Sequence, residues 1–385
     1  MSPTSHVPGK KISELESIRG LAALFIVLFH VPRWNSLFDN GIFNNSYLMV
    51  ELFFVLSGFV MLTSYGERLN TGKDLLKFQF LRLGRLYPLH ILFLAAFVLI
   101  EILKYLASQN TGIVGPNPPA FSKNGPFALI EHLLLVQAIG PTGNNFTFNV
   151  PAWSISVEFY TYLVFGLAAM LFGKSKLLIY AVISLISLVL LATGNDHGFD
   201  LLLKCFTGFF LGCLVAALTK RIRFTVPGYF SATFVLMILA FIYLKKGIEH
   251  DWLIFLPTAA LIFSVANMAR QSGSGILANR FFVWLGTISY SLYMCHMFVI
   301  WVLNQLVRFI LKRPEALDLH GNYTPQLSTA EAIIGLIVIF ASVIATSTAV
   351  HHLIENPMRE GSRRLADRLF RSRRQPIAGL EPSES

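Results

Sequence analysis

Two ionisable residues, Arg19 and His30, lie in the first long apolar stretch of the chain. Ionisable side chains inside a membrane span are rare and mark functional sites by default. The two are eleven positions apart, so a helix presents both on one face, roughly 16 Å apart along its axis. A cation near one membrane surface and an imidazole deeper in the membrane suit an anionic donor molecule whose long arm ends in a reactive group. The alternative is that Arg19 extends to the interface and a neighbouring helix satisfies His30.

A second pair of cations ends the connector that follows the second apolar segment. Arg82 and Arg85 are three positions apart, so a helix would place both on one face. The planar guanidinium fork matches phosphate oxygens in a bidentate geometry. The sequence therefore predicts an anion site that this pair shares with Arg19, which we expect at the same membrane surface. The alternative is that Arg82 and Arg85 only anchor the chain at that surface.

One carboxylate is expected inside the membrane. Glu158 lies four positions after Ser154 and is followed by the aromatic and apolar residues 159–163, which places it within the outer leaflet. A carboxylate at that depth needs a partner or a proton. Glu158 is therefore a candidate catalytic group, with Ser154 as a support.

In the second span the small residues Ser57 and Gly58 are interpreted as a site of close helix packing.

A polar stripe marks the ninth apolar segment. Ser289, Tyr293 and His296 follow one another at three- and four-residue steps, and Tyr290 lies beside them. Such a stripe predicts a helix face that turns towards a cavity or the bundle interior, although hydrogen bonding between helices explains it equally well. In the last apolar segment, we expect Pro357 to end the helix.

The composition is that of a polytopic membrane protein. Of 385 residues, 54% are hydrophobic and 14% are charged, with a mean hydropathy of +0.60, which excludes an ordinary soluble domain. The formal charge of +10 is concentrated in short connectors and the tail, so we expect a lipid bilayer and no nucleic acid as partner. Cys205, Cys213 and Cys295 lie in apolar segments, and we expect buried thiols without a disulfide or a metal.

Apolar runs predict an all-α fold of about ten transmembrane helices. The predicted spans are 14–32, 46–65, 86–107, 153–172, 177–193, 201–218, 228–244, 252–269, 282–308 and 330–352. The further apolar piece 127–139 is too short to span and is typical of a re-entrant or interfacial helix.

The distribution of Lys and Arg orients these spans. With the N-terminus inside, the basic connectors 66–85, 173–176, 219–227 and 270–281 all face the cytoplasm, whereas Lys312 and Arg313 are an exception on the outside. Both termini are then cytoplasmic. The predicted organisation is a cytoplasmic segment 1–13, a transmembrane domain 14–358, and a basic, partly disordered cytoplasmic tail 359–385.

Together these residues resemble the acyltransferase-3 family of integral-membrane acyltransferases. The resemblance runs from about Glu14 to Arg359, and its most specific element is Arg19 with ten residues before His30. The supporting motifs are Ser57-Gly58-Phe59, Arg82-x-x-Arg85, Trp153-Ser154-x-x-x-Glu158, Ser289-Tyr290-Ser291-Leu292-Tyr293 and Glu355-Asn356-Pro357. Each motif is weak alone, but their order on the predicted spans makes a specific set.

The resemblance implies a bacterial inner-membrane enzyme. Such an enzyme moves an acyl group, usually acetyl, from cytoplasmic acyl-CoA to a hydroxyl of a cell-surface or lipid-linked glycan, and acetyl-CoA would be a substrate, not a permanently bound cofactor. By matching position, Arg19 and His30 would be essential, and Arg82 and Arg85 would bind the donor. Some relatives append an extracytoplasmic esterase-like domain. We expect none here, so the protein would act alone or pass its group to a separate periplasmic partner.

The expected mechanism combines both lines of reasoning. His30 would deprotonate the acceptor hydroxyl or form an acyl-histidine, with Arg19 nearby. Glu158 would orient His30 or serve as an alternative base. The acceptor or the oxyanion would be bound by polar groups of two spans. These groups are Ser154, Tyr290, Tyr293 and His296.

Two other functions remain open at this point. The acceptor could be a small secreted molecule such as a macrolide. The chain could also be a secondary transporter or flippase, which would explain ten spans and buried polar residues equally well. Against that class, the sequence has no paired half-repeats with broken spans.

Overall fold

The computed structural model describes residues 12–111, 118–222, 226–268, 276–317 and 323–370, and these ranges are almost entirely helical. The α-helices of the described residues are α1 Ser13–His30, α2 Gly41–Asn45, α3 Met49–Tyr65, α4 Gly72–Thr111, α5 Pro126–Leu134, α6 Ala152–Phe172, α7 Lys176–Thr193, α8 Asp200–Arg221, α9 Gly228–Leu244, α10 Phe255–Met268, α11 Arg280–Thr287, α12 Ser289–Leu311, α13 Thr329–Val350 and α14 Asn356–Leu369.

The predicted fold class, an all-α polytopic membrane protein, is confirmed. Within the described residues, seven helical stretches are long and apolar enough to cross a membrane, and one of them joins α6 and α7. Helix α9 is apolar but shorter, and α1 is apolar but carries Glu14, Glu16 and Arg19. Nine of the ten predicted spans each coincide with one of the helices of the described residues, and the ninth span, 282–308, covers two. The short piece 127–139 contains only α5, a helix of nine residues.

The ninth predicted span is two helices rather than one. Helix α11 ends at Thr287 and α12 begins at Ser289, whose hydroxyl donates to the carbonyl of Gly286 at 2.8 Å. The break allows α11 to cross α1 in close contact, because a Cβ atom on Gly286 would collide with the backbone of Glu16. A Cβ on Gly20 would likewise lie 2.6 Å from the nitrogen of Gly286. Apolarity alone does not reveal such a break.

Helices α3 and α8 form another close crossing, in the core. A Cβ on Gly58 would collide with the carbonyl of Phe209, and a Cβ on Gly212 would collide with that of Val55. The predicted packing role of Gly58 is therefore confirmed. All three cysteines are buried with free thiols, as predicted.

Helix α4 is much longer than a membrane span. Its 40 residues correspond to about 60 Å, twice the hydrocarbon thickness. The helix begins at Gly72, so the predicted connector 66–85 is mostly helical. This extension packs against α14. A Cβ on Gly84 would collide with the hydroxyl of Ser362, and Lys77 pairs with Asp367 at 2.8 Å.

One sequence expectation near the C-terminus is wrong, and another concerns residues that lie mostly outside the described ranges. Pro357 does not end the helix. It lies in the first turn of α14, where its missing N–H is not needed, and a π-helical turn over His351–Glu355 joins α13 to α14. Residues 371–385, most of the predicted tail, and residues 1–11 lie outside the described ranges.

A hairpin of β1 Glu315–Leu317 and β2 Tyr323–Pro325 is the one sheet in the described ranges.

Candidate active site

A cavity of about 560 Å³ lies among seven helices and follows α3 along most of its length. It reaches from Val50 to Ser64, which is about 21 Å at the helical rise. The walls come from α1, α3, α4, α6, α11, α12 and α14. The close crossing of α1 with α11 therefore lies beside it, and Gly286 lines it directly.

One end of the cavity is strongly basic. Arg19 from α1 and Arg85 from α4 both line it, as the sequence predicts, together with Arg359 and Arg363 from α14. Arg19 donates to Glu16 at 3.1 Å, one turn earlier in α1. Guanidinium groups gathered from three helices form the kind of site that binds phosphate groups.

Carboxylates lie among these cations. The carboxylates of Glu355, Glu158 and Glu16 attract the positive charge of Arg85. All three carboxylates line the cavity. Glu355 sits at the end of the π-helical turn. Its Oε2 accepts from the hydroxyl of Ser291 at 2.7 Å and contacts Nδ1 of His351 at 3.0 Å. The π-helical turn thus holds an ionisable group at the cavity wall.

Arg82 occupies a different environment from Arg85. Its guanidinium lies over the rings of Tyr65, Phe78 and Tyr162, with centroid distances of 5.2, 5.7 and 5.9 Å. It also donates to the hydroxyl of Tyr65 at 3.1 Å and is buried. Among the described residues, Arg82 is not part of the cavity lining. Of the predicted pair, the structure brings only Arg85 into the cavity.

Glu158 lines the cavity and has two hydroxyl partners. Its Oε1 accepts from Ser57 and from Tyr162, each at 2.6 Å. Two donated hydrogen bonds hold this carboxylate in a defined position at the cavity wall. Ser57 was interpreted as a packing residue, and the structure shows that it also belongs to the site.

Three of the predicted acceptor or oxyanion groups also line the cavity. The hydroxyl of Tyr293 donates to the carbonyl of Pro151 at 3.0 Å and lies 2.8 Å from the hydroxyl of Ser154. The hydroxyl of Tyr290 donates to the carbonyl of Leu86 at 2.5 Å. Each of these hydroxyls must release a protein partner before it can donate to a substrate oxygen.

The imidazoles of His30 and His296 form a pair. Nδ1 of His296 lies 2.7 Å from the carbonyl oxygen of Tyr293, and because a carbonyl only accepts, this nitrogen carries the hydrogen. In a neutral ring Nε2 of His296 then accepts, and Nδ1 of His30 lies 3.2 Å from it. The carbonyl of Ile26, 3.0 Å from the same Nδ1, is a second acceptor. Both neighbours thus favour hydrogen on Nδ1 of His30, which leaves the lone pair on Nε2.

The structure separates Arg19 from His30 more than the sequence predicts. Arg19 lines the cavity, whereas His30 and His296 are not among its described lining residues. Tyr293 joins the two regions, because it lines the cavity and its ring centroid lies 5.9 Å from that of His296.

Sequence reasoning missed several lining residues. Tyr162, Arg359 and Arg363 carry no motif that distinguishes them from other residues of a span or a basic tail. The one available signal was the spacing of Arg359 and Arg363, which are four positions apart and therefore share one face of a helix. Within the described ranges, no group of three or more His, Cys, Asp and Glu side chains could hold a metal ion.

Comparison with known proteins identifies the family. A family profile described as an acyltransferase domain, acyltransferase 3, matches residues 12–350. The chain belongs to the acyltransferase-3 family. It is therefore a membrane acyltransferase, and Arg19, Arg85, Glu158 and the pair of histidines all lie within the matched range. No solved structure matched the chain significantly.

Curated relatives of the acyltransferase-3 chain agree with this assignment. "Protein 2 in picA locus" of Rhizobium radiobacter is 37% identical over 166 residues, which cover 42% of this chain and 84% of the relative. Acyltransferase MdmB of Streptomyces mycarofaciens is 26% identical over 90% of this chain and 91% of its own length. YrhL of Bacillus subtilis (strain 168), provisionally named a peptidoglycan O-acetyltransferase, is 25% identical over 95% of this chain but only 57% of its own length.

Proposed function

We propose that this acyltransferase moves an acetyl group from cytoplasmic acyl-CoA to a hydroxyl of a cell-surface or lipid-linked glycan. The observation that carries the proposal is a cavity with arginines at one end and hydrogen-bonded hydroxyl and carboxylate groups towards the other. There the lining residue Tyr293 lies beside the paired imidazoles of His296 and His30. In this proposal the protein lies in a bacterial inner membrane with both termini in the cytoplasm, so the arginines face the donor pool. The peptidoglycan O-acetylation in the name of YrhL supports a glycan acceptor.

The donor would enter from the basic end. Arg19 and Arg85 line the cavity and would bind the diphosphate of CoA, while the pantetheine arm extends along α3. Arg82 would support this wall indirectly, because it lies over Tyr162, which donates to Glu158. The thioester would then reach the region of Ser154 and Tyr293.

Transfer itself would begin at the acceptor hydroxyl. Nε2 of His30, whose Nδ1 carries the hydrogen, takes the hydroxyl proton as the oxygen attacks the thioester carbonyl. The tetrahedral intermediate then breaks its C–S bond, CoA leaves as the thiolate, and His30 returns the proton to the sulfur. Tyr293 connects the cavity with the histidines, so a change in its side-chain position would open the path. Glu158 is the alternative base, since it already lines the cavity.

Two measurements test this function. In the first, surface glycans from cells with and without the protein are analysed for ester-linked acetyl groups, and we expect these groups to be lost without it. In the second, purified protein is incubated with acetyl-CoA and no acceptor, and we expect slow release of free CoA. Unchanged glycans together with acetylation of a secreted small molecule would instead identify the other acceptor class.

The catalytic assignment is tested with His30→Ala. We expect the acetyl-ester content to fall to the level of cells that lack the protein, because no proton acceptor remains for the hydroxyl. His197→Ala is the matched control, because His197 is an exposed histidine in the loop between α7 and α8. Wild-type acetylation by an inserted His30→Ala protein would remove His30 from the mechanism and leave Glu158 as the base.

A further inference from the structure

Helix α14 contributes two arginines to the basic end of the cavity. We propose that Arg359 and Arg363 bind the 3′-phosphate of CoA, and that they select acyl-CoA over an acyl-phosphopantetheine on a carrier protein. The inference rests on the proposed function, because it concerns which donor occupies the same cavity. A carrier protein presents one phosphodiester next to its pantetheine, whereas in CoA that phosphate is part of a diphosphate and the ribose carries a separate 3′-phosphate.

The position of α14 is determined by contacts with α4. Gly84 allows Ser362 to approach the α4 backbone, Lys77 pairs with Asp367, and Ala366 is fully buried. Arg359 and Arg363 are four positions apart, so they project from one face of the helix, and both line the cavity. Two side chains held by a packed helix form a more precise binding site than two side chains on a tail.

The charges at this end of the cavity favour an anion. Arg359 experiences the like charges of Arg85 and Arg363. Its Nη2 donates to the side chain of Asn356 at 2.7 Å, whereas its Nε is buried and has no hydrogen-bond partner among the described residues. The nearby carboxylate of Glu355 already accepts from Ser291. A phosphate group would neutralise this concentration of positive charge and satisfy the buried Nε–H.

The burial of the arginines assigns the phosphate groups, because Arg85 is the most deeply buried, Arg359 is half-buried and Arg363 is exposed. The pantetheine arm must point inward, so the nucleotide stays at the outer end of the cavity. The diphosphate lies between the pantetheine and the ribose and would meet Arg85. The 3′-phosphate is on the far side of the ribose and would meet Arg359 and then Arg363, which is exposed at the rim.

The experiment compares binding of CoA and dephospho-CoA, which lacks only the 3′-phosphate. Dissociation constants are measured by calorimetry on full-length protein in uncharged detergent, for the wild type and for R359A/R363A. The control is R364A/R368A, which removes the same charge from exposed positions of α14 that do not line the cavity. If R359A/R363A does not fold, Arg363→Ala alone replaces it, because that side chain is exposed.

We expect the wild type to bind CoA at least about tenfold more tightly than dephospho-CoA, since charged hydrogen bonds contribute that much to affinity. R359A/R363A should lose this preference and keep its dephospho-CoA affinity, which also shows that it is folded. The control should retain the preference.

A preference that persists in R359A/R363A would overturn this inference and leave the proposed function intact. Equal binding of CoA and dephospho-CoA to every variant would also overturn the inference and leave the proposed function intact. If anionic vesicles then bind only when both arginines are present, the arginines contact lipid headgroups. No binding of either nucleotide to the wild type would instead count against the proposed donor itself.

Discussion

The pairing of His30 with His296 gives each imidazole a defined role. His296 is held by the carbonyl of Tyr293 and presents an acceptor to Nδ1 of His30. A general base must carry its lone pair on the nitrogen that faces the substrate. His296 therefore acts in this mechanism as a positioning residue, although its sequence position suggested only contact with the acceptor or the oxyanion.

Replacement of His296 tests this role. We expect His296→Ala to lower kcat for acetyl transfer by about a hundredfold, because His30 loses one of the two acceptors that hold its ring and tautomer, with little change in the KM for acetyl-CoA. His296→Gln, whose carbonyl oxygen can accept from Nδ1 of His30, should recover part of the rate. Steady-state kinetics in proteoliposomes measures both constants. Equal loss in the two variants would show that His296 only fills space.

The hydroxyl partners of Glu158 lead to a second expectation at this scale. Ser57→Ala removes one of two short hydrogen bonds to the carboxylate, and we expect a drop of about tenfold in kcat. Ser184→Ala is the control, because Ser184 is a buried serine whose hydroxyl donates to the carbonyl of Thr207, outside the cavity lining. Equal activity of the two variants would exclude a role of Ser57 in the site.

At the scale of elements, the crossing of α1 and α11 positions the basic end of the cavity. Gly20 and Gly286 flank this crossing, and each allows backbone contact that a side chain would prevent. Arg19 lies next to Gly20 and has its partner, Glu16, in contact with Gly286. Close packing between these helices therefore serves the site directly, in addition to holding the bundle together.

A methyl group at this crossing should cost both stability and activity. Gly286→Ala places a Cβ against the backbone of Glu16, so we expect destabilisation of about 1–3 kcal/mol and weaker binding of CoA. Gly361→Ala is the control, because a Cβ there meets open space in α14 and should stabilise by about 0.5–1 kcal/mol. Thermal unfolding in detergent and calorimetry measure the two effects. Wild-type stability of Gly286→Ala would show that α11 is free to move away.

At the scale of the whole molecule, the basic end of the cavity lies on the side of the membrane on which the basic connectors are predicted. Residues from the start of α1, the end of α3 and the start of α14 line this cavity. The charge distribution of the sequence predicts that these same segments lie in the cytoplasm. In the proposed orientation, the arginines would have access to a cytoplasmic donor and the opposite helix ends would face the outside.

Cysteine labelling tests this orientation. The native thiols are buried, so a membrane-impermeant maleimide should report only introduced cysteines. We expect Asn195→Cys, in the loop after α7, to react in intact cells, and Gly361→Cys to react only after the inner membrane is permeabilised. Both positions are exposed. The reverse pattern would invert the topology and remove the proposed donor site from the cytoplasm.

The sequence by itself determined the membrane class, the ten apolar segments and the family. Hydrophobic runs of that length have one stable environment, and the spacing of Arg19 and His30 is a local property that needs no tertiary information. The cavity position of Arg19 and Glu158 follows the same logic. A charged side chain in an apolar helix must turn towards a polar interior.

Only the tertiary structure decided which groups oppose one another. His30 meets a histidine 266 positions away, and Glu158 meets a serine 101 positions away. Helical periodicity shows which residues share a face, but not which neighbouring helix covers that face. For this reason the sequence could not distinguish Arg82, which lies among aromatic rings, from Arg85 in the cavity. Nor could it show that a helix after Pro357 packs against α4 and completes the basic end.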